Sequence, residues 1–328
     1  MKRPLIAILR GGYSGESVIS HQSAKRMLEA LDTARFEPCF VTVTRGTWTS
    51  ELADGSALPF DRGAFAIDRG QGPEPFVAAL IAIHGAPGED GKLQGYLDML
   101  GVPYQTGDVL NMSLTFSKFG TVSFLRQWGF PVSPSVLLRK GLPVPHDELA
   151  ALGLPVFVKP DQSGSSLGVT KVKQADAMEA ALEEAFKECD SVMVEAAVTG
   201  RELTCGVLRV GDDVRALPIC EIRTSREFFD YEAKYHASDT EEIVPAPLPE
   251  EVTRLVQERS TAIYRVLDCR GMARVDHFWT GEELITIEVN TTPGFSAASI
   301  YPKMLEADGI GVPSVINGMV EAMLQRAK

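Results

Sequence analysis

The chain has 328 residues, 45% of them hydrophobic, and its 44 acidic and 32 basic residues give a net charge of −12. This length predicts two or three domains, and the acidic balance without any basic block argues against nucleic acid or an anionic membrane as a partner. The longest apolar run, 76–83, is too short to span a bilayer, so we expect no membrane partner.

The cysteines give an indication of the redox compartment. They are odd in number, widely separated and never arranged as a CxxC pair. This usage predicts buried thiols in a reducing cytoplasm. The residues are Cys39, Cys189, Cys205, Cys220 and Cys269.

The first 106 residues predict an α/β domain. An apolar run at 5–9 fits a first strand, because Arg10 interrupts it before it is long enough for a signal peptide. A helix follows to about residue 31, and further strands are predicted at 40–43 and, beyond a Gly/Asp-rich stretch at 46–75, at 79–83. Domains of this kind bind ligands at the carboxyl ends of their strands.

Two polar segments lie at those strand ends. Glu16, in GGYSGES, follows the first strand, where its carboxylate can hold a substrate ammonium group. HGAPGEDG, from His84 to Gly91, follows the strand at 79–83 and contains more glycine than packing requires. Capping of the next helix by Glu89 and Asp90 is the alternative interpretation of that segment.

From about residue 107 the pattern changes to an α+β unit. It predicts one helix over 115–128, strands at 156–159 and 169–172, and a helix over 175–187. The two strands are joined by KPDQSGSSLGVTKV, in which Lys159 precedes a run of glycines and serines whose amides can cradle phosphate oxygens. A strand follows this loop, so it is not a Walker A motif. A flexible hairpin loop explains its glycines equally well.

The remainder of the chain predicts strands at 192–195 and 202–210, a helix over 250–267, two further strands and a final helix. The segment 228–235 combines aromatic residues with charges of both signs, as a loop over a site or a partly buried edge would. Lys118 and Lys234 are two more lysines that can meet a triphosphate, although most lysines on most proteins are simply solvated.

A hairpin near the C-terminus concentrates the polar chemistry. Its strands, 272–278 and 284–290, flank Thr280-Gly281-Glu282. If the hairpin centres near Glu282, Asp276 lies opposite Glu288 and Arg274 opposite Asn290, with all four on one face. Val275, Ile287 and Val289 then lie on the other face with His277, which we interpret as a packing residue and not as a ligand.

The polar face of this hairpin suits a hard cation, because two carboxylates placed opposite each other repel. Magnesium prefers oxygen ligands and commonly takes one or two carboxylates, here Asp276 and Glu288, beside Asn290. Arg274 is better suited to stabilise an oxyanion, a role in which one donor is worth about 3 kcal/mol. A solvated, salt-bridged sheet face is the alternative, and a register slip of one residue would separate the charges.

Taken together, these segments resemble the D-alanine–D-alanine ligases of the ATP-grasp superfamily, from Leu5 to the C-terminal helix. The resemblance is carried by HGAPGEDGKLQGYLDMLGVPY, by VKP with GSSLGVTKV, by FFDYEAKY, and by RVD followed by IEVNTTPGFSAAS. It implies a mixed α/β and α+β, three-domain ATP-grasp architecture with an N-terminal Rossmann-like (preATP-grasp) domain. The implied domains are a substrate-binding domain at 1–106, a central subdomain with the glycine loop at 107–194, and a C-terminal subdomain with the magnesium and oxyanion site at 195–328.

The resemblance also implies roles for individual residues. ATP phosphates would contact Lys118, Lys159, Ser166 and Lys234, and the nucleoside would contact Glu195, Val198, Glu202 and, around adenine, Phe228. Two Mg²⁺ (or Mn²⁺) ions would be held by Asp276, Glu288 and Asn290. The first D-alanine would be held by Glu16, linked through Ser165 to Tyr235, and positioned by His84. The oxyanion hole would be Arg274 with the Gly294 amide, and the second D-alanine would lie at Ser299 and Ile300, with its carboxylate on Ser299.

The implied activity is the ATP-dependent, ADP-forming ligation of two D-alanines through an acyl phosphate for peptidoglycan precursors, by a cytoplasmic homodimer. Ser17, Val18 and Ala196 depart from the residues usual in the family, and Tyr235 favours an amine as acceptor over D-lactate. Within the enzyme class, the alternatives are a D-alanine–D-lactate ligase or another carboxylate–amine ligase. Outside it, the alternative is a nucleotide-binding module without catalysis.

Overall fold

The computed structural model describes residues 2–164, 166–224 and 240–326. Its helices there are α1 (Ser17–Ala30), α2 (Lys92–Met99), α3 (Val109–Phe116), α4 (Lys118–Gln127), α5 (His146–Ala151), α6 (Met178–Glu188), α7 (Glu250–Val266), α8 (Ile300–Ala307) and α9 (Val312–Arg326), with a 3₁₀ turn at Ala175–Ala177. The strands are β1 (Leu5–Gly11), β2 (Glu37–Val43), β3 (Trp48–Leu52), β4 (Ala57–Leu58), β5 (Phe60–Asp61), β6 (Ala66–Asp68), β7 (Pro73–Pro75), β8 (Ala78–Ile81), β9 (Ser135–Arg139), β10 (Val156–Pro160), β11 (Thr170–Val172), β12 (Ser191–Ala196), β13 (Arg201–Val210), β14 (Asp213–Ala216), β15 (Cys220–Thr224), β16 (Thr240–Ile243), β17 (Met272–Trp279) and β18 (Leu284–Asn290). Within these ranges no helix is long and apolar enough to cross a membrane.

The first sheet has the strand order β4-β3-β2-β1-β8. β1 is parallel to both β2 and β8, and β3 and β4 extend the sheet antiparallel. Both faces of β1 are covered, which is why its sequence is a continuous apolar run and not an alternating one. Ile6 and Ile8 lie in one core with α1 and α9, whereas Ala7 and Leu9 lie in another with α2.

The Gly/Asp-rich stretch at 46–75 is more regular than its composition indicates. It contains β3 and β4 and a small separate sheet, β5-β6-β7. An aromatic cluster packs behind these short strands, with ring centroids of Phe65 and Phe76 5.1 Å apart and those of Trp48 and Tyr96 5.2 Å apart. Several glycines of the stretch have positive φ, including Gly55 at 89°. The glycines therefore mark tight turns between strands.

The second sheet is antiparallel, with the order β11-β10-β12-β9. The apolar side chains of α6 cover one of its faces, where Leu182 and Ala185 join the core that contains Val158 and Val194. The glycine loop connects β10 to β11 and therefore extends from the edge of this sheet.

The third sheet has the order β16-β15-β13-β17-β18, with β14 paired to β13. Helix α7 packs on one face, where Ile263 shares a core with Val275 and Val289. Leu125 of α4 belongs to the same core. Helix α4 therefore packs against the third sheet although it precedes the second sheet in the sequence.

The first and third sheets share a continuous core. Ile6 and Ile8 of β1 lie in the same cluster as Tyr301 and Met304 of α8 and Ile316 of α9. This packing places the carboxyl end of β1 beside the segment that follows β18, where Ser23 Oγ accepts a hydrogen bond from Phe295 N at 3.2 Å.

One predicted element is wrong. The single helix expected over 115–128 is two helices, α3 and α4, which are separated at Ser117. The backbone of Ser117 is extended, with ψ 113°, and its hydroxyl accepts a hydrogen bond from Gly120 N. Serine favours such a capping position over a helix interior because its side chain satisfies a first-turn amide. Periodicity alone did not reveal this break.

The predicted burial of the cysteines is confirmed for all but one. Cys39, Cys205, Cys220 and Cys269 are buried and free, but Cys189, also free, is partly exposed at the end of α6.

Candidate active site

The predicted register of the β17–β18 hairpin is confirmed at its polar end. Asp276 lies opposite Glu288, and Arg274 lies opposite Asn290. A β-bulge after Asp276 shifts the register, so that nearer the turn Trp279 pairs with Leu284. The four polar side chains face one large cavity.

Hydrogen bonds fix the Asp276 carboxylate from several sides. Arg274 donates Nε to Oδ1 at 2.9 Å and Nη2 to Oδ2 at 2.8 Å, which is a bidentate pair. Asn290 Nδ2 donates to Oδ2 at 2.9 Å, and Thr204 Oγ1 donates to Oδ1. Burial on its own would lower the pKa of Arg274, but the charges of Asp276 and Glu288 raise it above the usual value. Arg274 is therefore a permanent cation.

The opposite face of the hairpin follows the prediction except at Ile287. Val275 and Val289 are buried in the core with α4 and α7. Ile287 was expected beside them, but it is partly exposed and lines the cavity. This correction follows from the bulge, because an inserted residue breaks the alternation of side chains between the two faces.

His277 is a packing residue, as its place on the apolar face predicts. It is fully buried and hydrogen-bonded to Ser260 Oγ at 2.9 Å and to Thr286 Oγ1 at 3.2 Å. Burial, assisted by the positive charge of Arg259, lowers its pKa to about 3. It is neutral at physiological pH and contributes no charge to the site.

The polar face has the donor chemistry of a magnesium site. Two carboxylates and one amide converge, which fits a cation that keeps several water or phosphate ligands. Asn290 donates its amide N–H to Asp276 and, at 3.5 Å, to Glu288 Oε1. Its oxygen would face a cation at those carboxylates only after the amide rotates. A cation on Asp276 would also compete with Arg274 for the same oxygens.

A second wall of the cavity carries a buried ion pair. Lys159 Nζ lies 2.5 Å from Glu195 Oε2, and the two side chains are 13% and 2% exposed. The pair joins β10 to its neighbour β12, since Phe157 pairs with Glu195 and Lys159 with Met193. Glu195 Oε1 has no hydrogen-bond partner among the described residues. A buried acceptor of this kind is costly unless a ligand supplies a donor.

Lys118 lies between the two walls. Its Nζ donates to Ser163 O in the glycine loop at 2.6 Å and lies 4.0 Å from Glu288 Oε2 across the cavity. The loop turns through left-handed conformations at Ser166, with φ 57°, and at Gly168, with φ 70°. Lys118, Lys159 and Ser166 all line the cavity, as a phosphate-binding arrangement requires.

Glu16 lies just beyond β1, as predicted, and its carboxylate is in close contact with two glycines. A Cβ at Gly164 would lie 2.4 Å from Glu16 Oε2, and a Cβ at Gly85 would lie 3.7 Å from the same atom. The glycine loop therefore approaches this carboxylate more closely than a larger residue at position 164 would permit, whereas the approach of Gly85 is an ordinary contact.

Both ring nitrogens of His84 are used by the protein itself. Nδ1 lies 3.0 Å from Thr292 O, which can only accept, so Nδ1 carries the proton. Nε2 then accepts from Ser23 Oγ at 3.1 Å. Burial lowers the pKa of His84, in keeping with a neutral ring. His84 and Ser23 thus hold the segment that carries Gly294.

The remaining predicted residues lie at the start of α8. The hydroxyl of Ser299 does not cap its own helix but accepts from Ser296 N at 3.1 Å and lies 2.9 Å from Ser296 Oγ. Gly294 packs against it, because a Cβ there would lie 2.9 Å from Ser299 Oγ. The helix N-terminus therefore faces the cavity through Ser299 and Ile300.

One cavity of about 370 Å³ brings most of the predicted residues together. It is lined by Glu16, His84, Lys118, Lys159, Ser166, Glu202, Arg274, Asp276, Glu288, Asn290, Gly294, Ser299 and Ile300. Glu195 reaches it through Lys159, and Val198 is not among its lining residues. The predictions for Ser165, Phe228, Lys234 and Tyr235 lie outside the described residues.

Comparison with known proteins agrees with this arrangement. Residues 5–107 match the family described as D-ala D-ala ligase N-terminus, and residues 124–321 match D-ala D-ala ligase C-terminus. The chain belongs to the D-alanine–D-alanine ligase family. It is 42% identical to a D-alanine–D-alanine ligase of Phocaeicola vulgatus, over 98% of this chain and 99% of the relative. It is 41% identical to that of Porphyromonas gingivalis, over 96% of each.

Solved structures of ligases share its fold. D-alanyl-alanine synthetase A of Vibrio cholerae matches with a TM-score of 0.88 and 28% identity, covering 99% of this chain and 100% of that one. The VanG D-Ala:D-Ser ligase of Enterococcus faecalis matches with a TM-score of 0.84 and 29% identity, covering 98% and 100%. The predicted ATP-grasp fold class is confirmed. The division of the chain at residues 106 and 194 stays a prediction.

Several residues of this ligase site were not identified from the sequence. Thr204 supports Asp276 from the neighbouring strand β13, and Ser23 supports His84 from α1. Ser296 contacts Ser299 and lines the cavity. Their hydroxyls act on other protein groups, and single serines and threonines give no pattern. Only Ser296 carried a sequence signal, because it lies within IEVNTTPGFSAAS.

The two acids of HGAPGEDG have different tasks. Asp90 Oδ1 accepts from Lys92 N at 3.2 Å, so the capping interpretation applies to this residue. Glu89 instead turns back, and its Oε2 accepts from Gly85 N at 2.7 Å. Burial, followed by the negative charge of Glu16, raises the pKa of Glu89 to about 8. Glu89 therefore enters the cavity as a carboxyl group that keeps its proton near neutral pH.

Proposed function

We propose that this chain joins two D-alanines to D-alanyl-D-alanine in the cytoplasm, consuming ATP and releasing ADP and phosphate, and that it acts as a homodimer in peptidoglycan precursor synthesis. The main support is the register that sets Arg274, Asp276, Glu288 and Asn290 on one face of the cavity that Lys118 also lines. Lys118 and the two carboxylates can serve a triphosphate. Arg274, a permanent cation, lies beside them and can serve a reacting oxygen.

In this proposal the nucleotide occupies the wall formed by the second sheet. Lys118, Lys159 and the Ser166 region hold phosphate oxygens, together with Lys234. The nucleoside lies near Glu195, Val198, Glu202 and Phe228. Oε1 of Glu195 has no hydrogen-bond partner in the described part of the chain, and this supports the assignment because an exocyclic amino group would supply a donor.

Asp276, Glu288 and Asn290 would hold two Mg²⁺ or Mn²⁺ ions. Bound there, the ions would neutralise charge on the transferring phosphoryl group. Thr204 already orients the carboxylate of Asp276, whereas the Asn290 amide, which donates to that carboxylate, would have to rotate to present its oxygen to a cation. Arg274 can leave that carboxylate as its charge is compensated.

The first D-alanine is held by its ammonium group at Glu16, in a position that the neutral His84 helps to define. An oxygen of its carboxylate attacks the γ-phosphorus, and the bond from that phosphorus to the β-phosphate oxygen breaks. ADP and an acyl phosphate result. The Lys118 ammonium, which lies between the glycine loop and Glu288, spreads the charge on the transferring group.

The second D-alanine binds at the start of α8, its carboxylate at Ser299 and the helix N-terminus beside Ile300, where partial positive charge favours an anion. Its neutral amine attacks the acyl carbon. The oxyanion accepts hydrogen bonds from Arg274 and the Gly294 amide until the carbon–oxygen bond to phosphate breaks. The amine loses one proton in this step, and the departing phosphate accepts it.

The linkage from Glu16 through Ser165 to Tyr235 belongs to the same proposal. A closed site excludes water, which would otherwise hydrolyse the acyl phosphate. Tyr235→Phe is therefore expected to raise ATP hydrolysis relative to dipeptide formation. Unchanged coupling of the two activities in that variant would remove this part of the mechanism.

The decisive experiment mixes the protein with ATP and Mg²⁺ and follows phosphate release and product mass. D-alanine should trigger both, in a ratio of one phosphate to one dipeptide. D-lactate and D-serine, each offered with D-alanine, test the alternative acceptors, since the VanG relative is a D-Ala:D-Ser ligase. ATP binding without any D-alanine-dependent phosphate would instead favour the nucleotide-binding module.

A further inference from the structure

Asp161, a residue outside the predicted site, joins the two walls of the cavity. It is 4% exposed and directly follows β10, two positions beyond Lys159. Its Oδ1 accepts from Phe119 N at 2.8 Å, and its Oδ2 accepts from Ser117 Oγ at 2.7 Å. Its backbone oxygen accepts from Lys118 N at 3.1 Å. Asp161 therefore accepts one hydrogen bond each from Ser117, Lys118 and Phe119.

These contacts complete the N-terminus of α4. A helix leaves its first amides without intrahelical partners, and each needs an acceptor. Here Asp161 accepts from the amides of Lys118 and Phe119, while Ser117 Oγ accepts from that of Gly120 at 3.0 Å. A negative carboxylate at this end of a helix is also stabilised by the helix dipole. The cap is supplied from another element, and this fixes where the helix begins in space.

The cap joins the second sheet to a helix that packs on the third sheet. Asp161 belongs to the second sheet, to which its N–H is bonded through Ser191 O at 2.9 Å. Helix α4 instead packs on the third sheet, where Leu125 shares a core with Val289 beside the ligand Glu288. Asp161 thus sets the spacing between the glycine loop and the acidic hairpin face, with Lys118 at the junction.

We propose that Asp161 is a positioning residue that holds Lys118 against the glycine loop and so determines the affinity for the ATP phosphates. This inference rests on the proposed role of Lys118 in binding ATP. Lys118 Nζ donates to Ser163 O, two residues beyond Asp161, so main chain and side chain of the lysine are anchored to the same short segment. Loss of the carboxylate leaves the bond from Lys118 N to the Asp161 carbonyl, but it removes the bonds that hold Ser117 and Phe119 on either side of the lysine.

The test compares Asp161→Ala, Asp161→Asn and Ser117→Ala with Asp108→Ala. Asp108 caps the adjacent helix α3, accepting from Asn111 N at 3.0 Å, and this more exposed cap also pairs with Arg270 but anchors no proposed ATP ligand. We expect Asp161→Ala to raise the KM for ATP about tenfold, with a smaller loss of kcat and an unchanged KM for D-alanine. Asp161→Asn, which still accepts from Phe119 N, should restore most of the affinity. Asp108→Ala should lower the unfolding midpoint but leave the KM for ATP unchanged.

Two further variants, Lys118→Ala alone and Lys118→Ala combined with Asp161→Ala, distinguish a wrong role for Lys118 from a wrong positioning role for Asp161. If Asp161 acts through Lys118, the double variant binds ATP no more weakly than Lys118→Ala alone. An unchanged KM for ATP in Lys118→Ala would overturn the role of that lysine. If Lys118→Ala raises the KM for ATP but every folded variant at positions 117 and 161 keeps the wild-type KM, the positioning role is overturned. Additive losses in the double variant would overturn it as well.

Discussion

The two walls of the cavity keep their charges in place by different means. On the hairpin wall the partners are close in sequence, since Arg274 bonds to Asp276 two residues away and Asn290 to Asp276 across one turn. On the opposite wall the partners are distant: Lys159 pairs with Glu195, 36 residues away, and Lys118 with Ser163, 45 residues away. Most bonds of the hairpin face therefore lie within one supersecondary unit, with the bond from Thr204 of β13 as an exception, whereas these bonds of the opposite wall join separate elements.

The largest expected effect lies on the hairpin wall. Arg274→Ala should lower kcat on the order of a hundredfold or more, because the oxyanion loses its charged donor. Steady-state kinetics with both D-alanine sites saturated measures this. Arg274→Lys is the control that keeps the charge but loses the fork geometry, and it should recover only part of the rate. Near-normal turnover of a folded Arg274→Ala protein would contradict the oxyanion role.

The opposite wall, where the proposal places the ATP phosphates, can be tested through the buried pair of Lys159 and Glu195. Lys159→Met should destabilise the fold by about 3–5 kcal/mol, since it leaves the Glu195 charge buried without its partner. Urea unfolding measures this loss. Lys159→Met with Glu195→Gln should recover stability, because no uncompensated charge remains, but it should not recover ATP affinity. Recovery of both properties would show that the pair acts only on stability.

A smaller effect is expected where the first sheet meets the segment carrying Gly294. Ser23→Ala removes the hydroxyl that joins His84 to Phe295 N, a bond worth about 1 kcal/mol, and should lower kcat about fivefold with little change in the KM for ATP. Ser20→Ala is the matched control, because Ser20 lies on the same helix, is fully buried and accepts from Gly11 N at 2.9 Å. Equal losses of kcat in both variants would indicate a general effect on α1.

The stability of the fold should also depend on pH through Glu89. The ordinary pKa of 4.5 for Glu89 is raised to about 8 in the fold, so its contribution to stability is complete below pH 4.5 and is lost as the pH rises through 8. Glu89→Gln has no proton to lose, and its unfolding midpoint should fall less than that of the wild type between pH 5 and 8. Parallel curves for the two proteins in denaturant titrations would contradict the raised pKa.

The sequence by itself determined a large part of this protein. The continuous apolar run of β1 and the alternation along β17 and β18 follow from local chemistry, and so does the placement of Glu16 beyond a strand. Family motifs located most of the cavity-lining residues, because those motifs are contiguous. In contrast, Thr204, Ser23 and Asp161 act on residues far away in the chain, so no local pattern indicated them.

The register of the hairpin face coincides with a tertiary contact. The turn pairs Trp279 with Leu284, and a regular ladder from there would set Asp276 opposite Ile287. The bulge restores the pair with Glu288, at the place where Thr286 N donates to Pro131 O from another segment. Because Pro131 lies outside the hairpin, the spacing of residues within the hairpin does not indicate this contact. The sequence supplied the four polar side chains, and docking of the 131–132 segment accompanies the register that brings them together.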